Sequence, residues 1–96
     1  MKTQIVFRHL KSNPELNDAA MEEAKNLEKY YDGITSTSIE FTNDTDTEKV
    51  VDFTVQLQGT TLVSSSSSDN FPKSLGEAAD KMVRQIKKWK TKISKK

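Results

Sequence analysis

Between Val51 and Leu57 every second residue is apolar: Val51, Phe53, Val55 and Leu57 alternate with Asp52, Thr54 and Gln56. A side-chain period of two belongs to a β-strand with one face buried and the other in water. Such a strand needs neighbours along its edges and a layer over its apolar face. In 96 residues there is room for one small sheet and one covering layer, so residues 1–96 read as a single domain with a modest core.

The remaining segments supply those parts. Residues 4–8, with Ile5, Val6 and Phe7, form a first strand. Ser12-Asn13-Pro14-Glu15 reads as a helix start: Ser12 or Asn13 caps the free N–H groups, and Pro14 fits the first turn. Leu16, Ala20, Ala24, Leu27 and Tyr31 follow at helical spacing, which predicts a helix over 14–31, ended by Gly33 in a left-handed conformation. Residues 34–43 alternate with Thr37, Ile39 and Phe41 on one side. Asn43 to Thr47 is a polar turn. Gly59 turns the chain into a fourth strand over 60–66 with Leu62 inward. The Ser64–Ser68 run has a linker's composition, but its setting favours a strand that runs into a loop. Asp69-Asn70-Phe71-Pro72 opens a last helix over 71–94, with the apolar stripe Leu75, Ala79, Met82, Ile86, Trp89 and Ile93. The expected fold is α+β in the order β-α-β-β-β-α. A crossover helix implies a parallel first pair, and the later strands make an antiparallel meander. Both helices are expected on one face of a four-stranded mixed sheet.

The net charge of +1 hides an asymmetry. Residues 1–80 carry 7 Lys/Arg against 14 Asp/Glu, whereas residues 81–96 carry 8 Lys/Arg and no acid. On a helical wheel Lys81, Arg84, Lys88, Lys92 and Lys95 fall within roughly 80° on one flank of the apolar stripe. Successive charges then stand about 5–6 Å apart, close to the separation of adjacent nucleic-acid phosphates. A polyanion would relieve their mutual repulsion, whereas the plainer alternative is a solvated lysine-rich face. Trp89 lies in the apolar file and reads as core rather than as a stacking surface. Tyr31 reads as core and Tyr30 as exposed.

Other chemistry finds little support. With no cysteine there is neither disulfide nor thiolate site. His9 is the only histidine and has no companion Ser, Cys or carboxylate constellation. The serine run lacks a nucleophile elbow, and no phosphate loop, zinc spacing or calcium loop occurs. No enzyme and no cofactor is expected. There is no run of about 18 apolar residues and no signal-like N-terminus, so the expectation is a cytoplasmic protein without membrane attachment.

Leu27-Glu28-Lys29-Tyr30-Tyr31-Asp32-Gly33-Ile34 and Asp80-Lys81-Met82-Val83-Arg84-Gln85-Ile86-Lys87-Lys88 carry a resemblance. They are similar to "LE-K/R/Q-YFDRI" and "DKL-x-RQL-x-K" of the ribosome hibernation promoting factor and ribosome-associated inhibitor family, also called sigma-54 modulation proteins. Val55-Gln56-Leu57-Gln58-Gly59 and the helix start over 69–75 fall at the family's spacing, so the likeness spans nearly the whole chain. Asn70-Phe71-Pro72 replaces a frequent Asp-Met-Tyr, Gly76 an acidic residue, and Gly33 a frequent Arg.

The resemblance implies a short-form factor that binds the small ribosomal subunit in the channel used by mRNA and tRNA. Such a factor inhibits translation by steric occlusion in stationary phase or stress. It implies an rRNA-facing set of Lys81, Arg84, Gln85, Lys88 and Lys92, with added contacts from Arg8, His9 and Lys11. The alternatives at this point are a generic double-stranded-RNA-binding module and a sigma-factor-linked transcription adaptor. Because the sequence stops at Lys96, directly after the last helix, a monomer is expected, with ribosome dimers formed only through a separate helper protein.

Overall fold

The computed structural model describes residues 2–43 and 48–94. Its elements are β1 (Lys2–Arg8), α1 (Pro14–Leu27), β2 (Ile34–Asn43), β3 (Lys49–Leu57), β4 (Thr60–Ser68) and α2 (Phe71–Ser94). The strands lie in the order β1-β2-β3-β4, with β1 parallel to β2 and the other pairs antiparallel. The polar turn read at 43–47 lies, beyond Asn43, outside the described residues.

Strict alternation on the central strands builds the core. Ile39 pairs with Phe53, Phe41 with Val51 and Thr37 with Val55, and all six are buried. A register shift between Ile34 and Ser36 lets both Ile34 and Thr37 face inward despite their odd spacing. The helices cover this face with Leu16, Ala20, Ala24 and Leu27 from α1 and Leu75, Ala78, Ala79, Met82 and Ile86 from α2. α2 lies over β3 and β4, and α1 lies toward β1 and touches α2. Asn13 caps α1 through Oδ1, which accepts from the N–H groups of Glu15 and Leu16, and Asn70 Oδ1 caps α2 by accepting from Lys73 N–H. Phe71 anchors the start of α2 edge-on against Phe41 at 5.4 Å, with Phe7 stacked on Phe41 at 5.1 Å.

Three local expectations are corrected. First, α1 ends at Leu27, four residues early, and the chain continues in tight i→i−3 bonds from Glu28, Lys29 and Tyr30 to Lys25, Asn26 and Leu27. Secondly, Gly33 is not left-handed: among the described residues positive φ occurs at His9 (63°) and Gly59 (77°). Gly33 is required for space, because a Cβ there would overlap the Tyr31 ring, which folds back across it to meet Trp89. Gly33→Ala must displace that ring, and a loss of about 1–3 kcal/mol is expected in urea denaturation.

Thirdly, the serine run is strand to Ser68, with no loop inside it. Ser64, Ser66 and Ser68 stand on the inward face under the first turns of α2. Ser64 Oγ donates to Ala78 O at 2.8 Å, Ser66 Oγ to Glu77 Oε1 at 2.7 Å, and the Ser68 and Ser74 hydroxyls pair at 2.7 Å. Small hydroxyls let the helix approach β4 closely and remain hydrogen-bonded there.

Candidate nucleic-acid interface

β4 is an edge strand, and α2 runs antiparallel above it with one flank over that edge. Lys81 Nζ donates to Ser65 O at 2.9 Å and Gln85 Nε2 to Val63 O at 2.7 Å. The match is geometric: four helical residues rise about 6 Å, close to the ~6.7 Å spanned by two strand residues. These side chains occupy backbone acceptors that an open edge would offer to another strand. Two of the expected RNA-facing residues are thus tied to the fold, although the Lys81 ammonium has three donors and can also meet a phosphate.

Arg84, Lys88 and Lys92 continue the file outward and are exposed. Arg84 reaches Asp80 at 3.2 Å, with side chains 78% and 65% exposed, so solvent screens the pair and a phosphate can compete for the guanidinium. Lys95 lies outside the described residues.

Arg8, His9 and Lys11 are not brought to this face. They sit at the end of β1, on the opposite edge of the sheet, about 14 Å away across three strand spacings. Arg8 pairs along the sheet with Thr42, beyond which lie Val50 and Ser67, so this is the end where α2 starts rather than where Lys88 and Lys92 stand. Arg8 bridges to Glu40 at 3.1 Å on the outer sheet face.

Two basic residues outside the expected set have defined positions. Lys90 Nζ donates to Tyr30 O at 2.6 Å, and Lys87 Nζ lies 5.4 Å from the Tyr30 ring centroid. They occupy the other flank of α2 and fasten it to the turn after α1. The wheel already separates them from Lys88 and Lys92, but their partner is visible only in three dimensions.

The groove between the helices is lined by Glu23, Asn26, Tyr30, Gly76, Asp80 and Val83, among others. Burial raises the Glu23 carboxyl above its ordinary value of 4.5; a hydrogen bond with Asn26 opposes this, and the neighbouring Glu22 adds to it. A raised folded-state value means the native protein holds the proton more tightly than the unfolded chain. Glu23 therefore costs stability increasingly as pH rises from 4.5 through its folded value. Glu23→Gln is expected to raise the melting temperature at pH 7, with the gain fading below pH ~4 in thermal scans.

The family model described as Sigma 54 modulation protein / S30EA ribosomal protein matches residues 3–94. Among solved structures, a ribosomal subunit interface protein from Coxiella burnetii superposes with a TM-score of 0.87 at 24% identity, covering 95% of this chain and 99% of that one. The N-terminal domain of Protein Y from Thermus thermophilus gives 0.83 at 17% identity, covering 93% and 99%. No curated protein matches at the sequence level. At these identities the two structures establish the shared fold. No helix among the described residues is long and apolar enough to cross a membrane.

Proposed function

We propose that this chain, which belongs to the Sigma 54 modulation protein / S30EA ribosomal protein family, is a non-enzymatic ribosome hibernation factor. It binds the small ribosomal subunit in the channel of mRNA and tRNA and blocks translation by occupying that space in stationary phase or stress. The observation that carries the reading is the outward file of Arg84, Lys88 and Lys92 on an α2 flank held rigidly to β4. Cations one helical turn apart can engage successive rRNA phosphates once a phosphate displaces Asp80 from Arg84. A protein of the same fold is a ribosomal subunit interface protein, which supports action at the ribosome.

The acidic part of the molecule faces elsewhere. Glu15, Asp18 and Glu22 are exposed on α1 and Glu28 just after its end, and Glu40 and Asp52 stand cross-strand on the outer sheet face. Charge then orients the molecule: α2 turns toward the rRNA and α1 away from it. The outer sheet face, with Ser36, Ser38, Thr54 and Gln56 beside those carboxylates, is too polar for an obligate dimer. That face is therefore not expected to pair with a second copy of the chain.

Salt dependence tests the reading. If four or five phosphates are neutralised, log affinity for small subunits falls against log salt with a slope on the order of −3 to −4. A flat dependence in pelleting assays would reject phosphate neutralisation and favour a protein–protein adaptor.

A further inference from the structure

Positive charge does not account for the cleft beside Trp89. Leu62 and Trp89 belong to the apolar faces of β4 and α2, yet each is only half-buried. With Gln85, Lys88, Thr91 and Lys92 they line an open cleft of about 700 Å³ between α2 and β4. The Tyr31 ring meets the indole edge-on at 4.8 Å, and the Gln85 amide is held by its bond to Val63 O. The indole therefore stands braced in a cleft that Lys88 and Lys92 also line. A helix that only neutralised phosphates would need no aromatic wall.

We propose that this cleft holds an unpaired RNA nucleobase, stacked on Trp89 and against Leu62, with the flanking phosphates on Lys88 and Lys92. The proposal rests on the reading of α2 as the RNA-facing helix. A nucleotide is flat and apolar on its faces and anionic along its backbone, which matches the two apolar walls and two cations of the cleft. The base must be unpaired, because in a duplex its faces are covered by neighbouring base pairs. Stacking on an aromatic side chain tolerates any base, so the cleft adds affinity more than sequence choice.

Trp89 is the only tryptophan in the chain, so its emission reports the cleft directly. The probes are an end-labelled single-stranded oligoadenylate of about ten nucleotides and an abasic oligomer with the same number of phosphates. Both are expected to raise the label's anisotropy on binding, but the oligoadenylate alone quenches the indole. Trp89→Ala, checked for folding by circular dichroism, is expected to weaken oligoadenylate binding roughly 10- to 100-fold and abasic binding little, with Trp89→Phe intermediate. The wild-type fluorescence keeps the test independent of how the variants fold. Binding of both oligomers with unchanged indole emission would overturn the cleft while leaving α2 an RNA-facing helix, and would assign Leu62 and Trp89 to a protein side chain instead. Failure of both oligomers and of small subunits to bind would overturn the parent reading and the cleft with it.

Discussion

Reversing the charge at Lys88 and Lys92 together is expected to weaken binding to small ribosomal subunits on the order of 100-fold while leaving the domain folded. Each side chain is exposed on the outward file of α2. A hydrogen bond to a charged partner contributes about 1.5–3 kcal/mol, so the loss of two corresponds to at least a factor of about 100. The fold should tolerate the change, because Lys88→Glu places a carboxylate four residues from Arg84 and replaces a repulsion with an attraction. The control is Lys87→Glu with Lys90→Glu, the same charge change on the other flank. Those residues hold the turn at Tyr30, so that variant should lose stability and lose less affinity. Equal loss of binding from both pairs would mean that total charge, rather than the outward file, governs affinity.

The second large effect is on stability. Phe41→Ala is expected to cost about 3–5 kcal/mol, read as a fall in the urea midpoint. Phe41 is fully buried, carries Phe7 stacked on one side and receives Phe71 edge-on. The ring therefore ties β1, β2 and the start of α2 into one cluster. A domain of this size has about 5–15 kcal/mol in total, so the variant should populate unfolded chain near 37 °C. Phe41→Leu keeps most of the apolar volume and should cost markedly less.

Much of this architecture is legible in the sequence because period is a strong signal. The alternation through Val51–Leu57 and the two helical stripes dictate β3, α1 and α2, and the order of elements dictates the parallel first pair. What escapes is decided by contacts between distant residues. Gly33 looks like a helix terminator, but its neighbour Tyr31 needs the room to reach Trp89. Ser64–Ser68 has a linker's composition, and its continuation as strand to Ser68 follows from the closeness of α2, which bonds the inward hydroxyls of Ser64, Ser66 and Ser68. The basic file was visible on the wheel, yet the division between Lys81, bound to β4, and the outward Lys88 and Lys92 was not, since wheel angle does not reveal an adjacent sheet edge. Arg8, His9 and Lys11 are near one another in sequence but lie across the sheet from that file.

If this chain occupies the mRNA and tRNA channel of the small subunit through the outward face of α2, it must compete with the ligands of that channel. The decisive measurement is sedimentation of the purified protein with isolated small and large subunits, with and without mRNA and tRNA bound beforehand. The protein is expected to co-sediment with small subunits, to be displaced when the channel is filled, and to lose binding on charge reversal at Lys88 and Lys92. Binding that persists on subunits with a filled channel, or that is confined to large subunits, would contradict it.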